Sequence, residues 1–306
     1  MNRNSKIPIV AAVEWLLGGL MLLRRAPQPL AVIGMLGFLI FLMAFTGSAA
    51  LMRLDLPVPL SWLVAIVQIL LAPGIPGLVF AGMIWVMRDI DQGRPAAISD
   101  ALRGFDRRRA PSLLIAMSPQ LVVALSMSLL FPAMLTPEDM RHLAAAAEKL
   151  QELQQAGTPP DPAQVQVLFE EVPVWRILGW LAVSMALSLA ATMLIVLSMP
   201  QILFEDRRGP AALMESFRVC LQHPLLILAY IGLSVIAFLV LAFALGFVSV
   251  IVQLLLGPVV AAMVSQMAMM IIMPLWVAGS AYCAWKRLFG AASRNEMTEA
   301  RASVAL

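Results

Sequence analysis

Charged residues divide the chain into long apolar stretches, and the lengths of those stretches set the architecture. Between charges run Ala26 to Met52, Leu56 to Met87, Ala110 to Pro137, Ile177 to Phe204 and Pro224 to Trp285, of 27, 32, 28, 28 and 62 residues. A helix needs about 20 apolar residues to cross a bilayer. The first four stretches predict one span each, and the fifth predicts two, joined by a turn near Gly257 and Pro258. Six transmembrane helices follow, at about 28–51, 60–87, 111–134, 176–199, 225–248 and 259–285. The second contains Pro73-Gly74-Ile75-Pro76-Gly77, where two prolines remove backbone donors. It is expected to kink there or to begin as a half-helix.

Amphipathic segments precede the spans in pairs. Trp15 to Pro27 and Ile98 to Pro111 both end in Arg-Arg-Ala-Pro, and Leu213 to Pro224 ends in Gln-His-Pro. The approach to the second, Gly93-Arg94-Pro95-Ala96-Ala97-Ile98-Ser99-Asp100-Ala101-Leu102-Arg103, matches Gly209-Pro210-Ala211-Ala212-Leu213-Met214-Glu215-Ser216-Phe217-Arg218 with one residue deleted. The fold class expected is an all-α integral membrane protein in a domain of residues 1–290. It uses three times a unit of one interfacial helix (about 9–25, 96–109 and 211–222) and a two-span hairpin. Ile98, Leu102 and Phe105, like Leu213, Phe217 and Leu221, recur at helical spacing beside arginines, so their apolar face belongs in the headgroup region. Proline then sits in the first turn of the helix that enters the bilayer.

The prolines at 27, 111 and 224 are 84 and 113 residues apart, and the excess belongs to an insertion, residues 136–173. Thr136-Pro137-Glu138-Asp139 reads as a capped helix start, with a stop at Gly157. Asp161-Pro162 restarts a helix with Val165, Leu168, Phe169 and Val172 on one face. This outer helical hairpin carries seven carboxylates against Arg141, Lys149 and Arg176. It folds back on its own spans or docks a membrane or periplasmic protein partner. A cytoplasmic tail, 291–306, ends the chain.

Composition excludes a water-soluble fold: 61% of the residues are hydrophobic and 13% charged, with a mean hydropathy of +0.89. Charge then sets orientation. With six spans, 17 of the 21 lysines and arginines share the side of both termini, which the positive-inside rule makes cytoplasmic. No cleavable signal peptide is expected, because the apolar stretch Ile7 to Leu23 ends in Arg24-Arg25 without a small-residue cleavage site. Cys220 and Cys283 both fall toward the reducing side, so no disulfide is expected.

Candidate chemistry is sparse. His142 and His223 have no second histidine or cysteine at ligand spacing, and neither HExxH, paired CxxC, GxxxxGK[ST] nor a dinucleotide fingerprint occurs. The apolar stretches hold no Asp, Glu, Lys or Arg, which disfavours proton coupling and intramembrane aspartyl chemistry. No catalytic residue, metal site, cofactor or nucleic-acid partner is expected. Gln68, Gln120, Gln253 and Gln266 form the candidate polar interior, acting as interhelical hydrogen-bond glue or lining a substrate path. Arg24, Arg25, Arg107, Arg108, Arg109 and Arg218 are the candidate interfacial lipid contacts, with topological anchoring as their plainer role.

Arg24-Arg25-Ala26-Pro27, the Asp91-Gln92-Gly93-Arg94-Pro95 turn and Glu215-Ser216-Phe217-Arg218 resemble segments of an uncharacterised family of six-span bacterial inner-membrane proteins. The resemblance covers about residues 9 to 290 and is similar, more weakly, to non-catalytic membrane domains fused to bacterial glycerophosphodiester phosphodiesterases. It implies a multi-pass protein of the bacterial inner (plasma) membrane and no activity; the long insertion, 137–172, departs from the pattern. The expectation is a non-catalytic scaffold, assembly or membrane-organising protein. The alternative is a carrier or scramblase of lipid or another apolar solute, with a cavity lined by Gln68 and Gln120.

Overall fold

The computed structural model describes residues 8–52, 57–155 and 173–290. Among them the chain is all-helical: α1 (Val10–Arg25), α2 (Pro27–Met52), α3 (Val58–Asp91), a 3-10 helix (Ile98–Phe105), α4 (Ala110–Ala116), α5 (Ser118–Met134), α6 (Pro137–Gln155), α7 (Val174–Glu205), α8 (Gly209–Gln222), α9 (Pro224–Leu256) and α10 (Pro258–Leu288). Five stretches are long and apolar enough to cross a membrane: Pro27–Gly47, Ala110–Met134, Val174–Glu205, Pro224–Leu256 and Pro258–Leu288. This is one fewer than the six expected. The remaining candidate is α3, 34 residues long, whose side chains from 61 to 73 lie outside the description.

Three local expectations are met only in part. Helix α3 is continuous through Pro73–Gly77, so it does not begin there as a half-helix. Gly77 instead makes room for a neighbour, since a Cβ on it would collide with the Met117 thioether. The expected third span is two helices, because Pro119 has no N–H to offer the Ile115 carbonyl and the first piece closes at Met117. The expected helix over 96–109 is a 3-10 helix of 8 residues that ends at Asp106, whose carboxylate accepts the Arg108 amide at 3.1 Å and turns the chain. The second hairpin helix, 161–172, lies outside the described residues.

The chain divides into two compact units, residues 1–118 with 193–306, and residues 119–192. In the first, α1 crosses α10 backbone to backbone. A Cβ on Gly19 would stand 2.7 Å from the Ser280 nitrogen, and one on Gly279 would stand 2.9 Å from the Gly19 Cα. Close approach of this kind is what small residues permit between apolar helices. Ala11, Ala12, Trp15, Gly19 and Leu22 form the buried stripe of α1, and the Trp276 Nε1–H donates to the Leu16 carbonyl at 2.9 Å. Trp15 also packs on Tyr230 of α9, ring centroids 5.6 Å apart. The 3-10 helix seats on α3 in the same manner, because a Cβ on Gly82 would collide with the Ala101 carbonyl and one on Gly104 with that of Leu78. The core is completed by Ile33 of α2, Ile84 and Met87 of α3, Leu113 of α4, Met199 and Ile202 of α7 and Leu275 of α10.

Two of the corners leading into apolar helices share one backbone conformation: Ala26 at φ −140°, ψ 63° and His223 at φ −128°, ψ 54°. Each precedes a proline, which bars the helical region to the residue before it and so ends one helix as the next begins. Gly257, at φ 89°, makes the expected turn between α9 and α10.

In the second unit α5 packs along the start of α7. Trp180 donates from Nε1 to the Met127 carbonyl at 3.3 Å and meets Phe131 edge-on at 5.1 Å. Helix α6 starts with a reciprocal cap. The Asp139 amide donates to the Thr136 hydroxyl at 3.2 Å, while the Asp139 carboxylate accepts the Thr136 amide at 2.8 Å and pairs with Arg176.

Candidate functional site

The polar and charged chemistry of the first unit gathers at one collar, where α1, α3, α7 and α10 end. Asp91 is its hub. One carboxylate oxygen accepts Lys286 Nζ at 2.6 Å and the Tyr282 hydroxyl at 2.9 Å, and the other faces Arg25 at 3.7 Å. Burial pushes the Asp91 carboxyl up, but the bonds from Lys286 and Tyr282 and the charges of Lys286 and Arg25 outweigh it and hold the group below the usual carboxylate range. The ends of α1, α3 and α10 are thus joined through one anion.

Beside the hub, Trp85 collects three guanidiniums. Arg103 stands 4.6 Å, Arg109 5.0 Å and Arg88 5.3 Å from its ring centroid. Arg88 also stands 4.8 Å from the Phe204 ring, and Phe204 packs on Trp285 at 4.8 Å. Each such contact is worth roughly 0.5–2 kcal/mol depending on desolvation. Arg103 is tied to Asp100 at 2.7 Å and Arg109 to Asp206 at 3.0 Å. Asp206 reaches its partner from φ 49°, a left-handed conformation that a short polar side chain tolerates. Trp285 donates from Nε1 to Glu205 at 2.9 Å, and Arg287 pairs with Glu14 across the α1–α10 crossing.

Three short helices of this unit turn their apolar stripes outward. Val13, Leu17 and Met21 of α1, Ile98, Leu102 and Phe105 of the 3-10 helix, and Met214, Phe217 and Leu221 of α8 are exposed. Their opposite faces, with Gly19, Ala101, Gly104, Ala212 and Ser216, are buried. Arg24, Arg25, Arg107 and Arg108 are exposed next to these stripes, Arg109 is half-buried, and Arg218 pairs within α8 with Glu215 at 3.3 Å.

Of the four glutamines expected to form a polar interior, two lie on outer faces. Gln253 and Gln266 are exposed, because they fall on outer faces of α9 and α10. Gln120 is half-buried in the second unit, and its buried Oε1 has no hydrogen-bond partner. The side chain of Gln68 lies outside the description. Among the described residues of the first unit the buried amide is Gln201, fully enclosed, donating from Nε2 to the Ser216 hydroxyl at 3.1 Å and to the Leu197 carbonyl at 3.1 Å. Its only sequence signal is a glutamine next to Pro200 near the charged end of a span.

A cavity of about 670 Å3 opens at the collar between the α1–α2 corner and the loop after α3, lined by Arg25, Pro27, Gln28, Ile90, Arg94 and Ala96 among others. Two of the segments on which the family resemblance rests, residues 24–27 and 91–95, meet there. Among the described residues no group of three His, Cys, Asp or Glu side chains is placed to hold a metal ion. Cys220 and Cys283 are free thiols. The chain matches no family model, no curated protein and no solved structure.

Proposed function

We propose that the chain is a non-catalytic, six-span inner-membrane protein that organises the membrane or assembles partners, with both termini in the cytoplasm. In this reading α3 is the sixth span, supported by its 34-residue length and by the uncharged run from Leu56 to Met87. The three short helices form repeated interfacial collars, each followed by a pair of spans, and the insertion 136–173 is a contact surface on the far side. The likeness to six-span bacterial inner-membrane proteins belongs to the same proposal.

The observation that carries it is the outward apolar stripe on all three short helices, set beside exposed arginines, while Gly19, Gly104 and Gly209 seat their opposite faces on α10, α3 and α4. A rigid plate at headgroup level with basic residues around it suits anchoring and docking. A photocrosslinker at Glu138 in native membranes is expected to recover one recurrent protein. Adducts spread over abundant bystanders, or none, would overturn the scaffold reading.

A carrier of lipid or another apolar solute is the second reading, favoured by the unpartnered Gln120 Oε1. It requires the purified protein to accelerate lipid or solute transfer in liposomes, with Gln120→Leu slower than the parent. Rates equal to protein-free liposomes would remove it.

A further inference from the structure

We propose that the collar cavity binds a phosphate group through Arg25 and Arg94. Among the described residues its lining holds two guanidiniums, Arg25 and Arg94, and no carboxylate. Both arginines keep donors free. The Asp91 oxygen nearest Arg25 is 3.7 Å away, and that carboxylate is already held by Lys286 at 2.6 Å and Tyr282 at 2.9 Å. Arg94 stands 3.7 Å from Asp89, again beyond a hydrogen bond, and the two guanidinium side chains are 59% and 64% exposed. A planar fork with five N–H donors suits the oxygens of a phosphate bidentately.

Two further features point the same way. Helix α2 begins in the cavity wall at Pro27, so its positive end adds to the two charges. The volume far exceeds that of a bare anion, and Ala26, Pro27, Pro29, Ile90, Pro95 and Ala96 supply an apolar lining for what the phosphate is attached to. The exposed stripe Ile98, Leu102 and Phe105 follows directly on the Pro95–Ala96 wall, which sets the opening at headgroup depth under the interfacial reading above. The phosphate has two sources, a phospholipid headgroup or a soluble phosphate.

The experiment uses the full chain in a phosphate-free maltoside detergent, with calorimetric titration of dihexanoyl phosphatidylglycerol, of inorganic phosphate, and of dihexanoylglycerol as the control without phosphate. Binding of the phosphate-bearing probe is expected to weaken at least about tenfold in Arg25→Gln/Arg94→Gln. Gln28→Glu is expected to weaken it similarly while leaving thermal stability intact, since a carboxylate in the first turn of α2 suits the helix dipole but repels phosphate. Binding of phosphatidylglycerol alone assigns a lipid, and comparable binding of inorganic phosphate assigns a soluble ligand. Equal affinity for dihexanoylglycerol, unchanged affinity in both variants, or no binding by either phosphate probe would overturn the site. No partner protein enters the measurement, so a failed crosslink at Glu138 leaves this outcome independent.

Discussion

Gly19→Ala is the sharpest perturbation of the fold, because it adds one carbon where two backbones touch. That carbon would lie 2.7 Å from the Ser280 nitrogen and 2.9 Å from the Trp276 carbonyl oxygen, against 3.4–4 Å for ordinary contact. Backbone atoms inside α10 cannot swing aside as side chains do, so α1 must back away by roughly 0.5–1 Å. The displacement stretches the Trp276–Leu16 hydrogen bond and loosens the contacts of Trp15 and Leu22. Overpacking of this kind costs about 1–3 kcal/mol and the bond about 1 kcal/mol, against a gain of about 0.5–1 kcal/mol from replacing a helical glycine. A net loss of about 1–3 kcal/mol follows. The assay is denaturation in detergent combined with maleimide labelling of Cys283 in a Cys220→Ser background, since Cys283 faces Gly18 at the same crossing. Gly246→Ala, where nothing lies within 4 Å, is the control and should be neutral or slightly stabilising. Stability of Gly19→Ala within 0.5 kcal/mol of the parent, with Cys283 labelled no faster, would refute the close-packed crossing.

Lys286→Met removes a hydrogen bond and a charge that hold Asp91 below the usual carboxylate range. The ionised carboxylate stabilises the fold above about pH 4, and that contribution drains away as pH falls through the depressed value, so the variant should be less stable by up to about 1 kcal/mol at pH 7. The deficit should vanish once Asp91 is protonated, which stability measured from pH 7 down to pH 3 will check. Trp85→Leu should cost roughly 2–3 kcal/mol by chemical denaturation, since three guanidiniums lose one aromatic face together. Thr136→Ala should cost about 1 kcal/mol locally, seen as faster amide exchange in the first turn of α6 with little change elsewhere. Burial pushes the Cys220 thiol up to about 11, so its alkylation at pH 7.5 should be slow and should rise about tenfold per pH unit toward that value.

Periodicity and charge spacing made much of this fold legible. The apolar stripes 98/102/105 and 217/221 were visible as such, and they are exposed because their helices bury small residues on the other side. Pro27 and Pro224 marked real corners, since a proline constrains its predecessor whatever surrounds it. Pro119 was not recognised as a break because it lies inside an uncharged run, where length alone argues for one span. Gln253 and Gln266 fall outward for a related reason: hydropathy places a residue at depth along a helix but not on a face. The collar was half legible. Arg25 and Arg109 stood out by sign, whereas Asp91, Trp85 and Gln201 owe their roles in large part to distant neighbours, Lys286, Arg103 and Ser216, which lie 195, 18 and 15 positions away, separations no local pattern encodes.

The crossing of α1 with α10 also imposes a delay between the synthesis of one helix and its packing. The Leu16 carbonyl and the indole that bonds it are 260 residues apart in the chain. At a synthesis rate of about 5–20 residues per second, the first helix waits roughly 13–50 s for its partner to be made. Trp15 meets Tyr230 earlier, but Gly19 has no final seat until Ser280 and Gly279 are made, so this face of the nascent helix must be sheltered by lipid or by the insertion machinery.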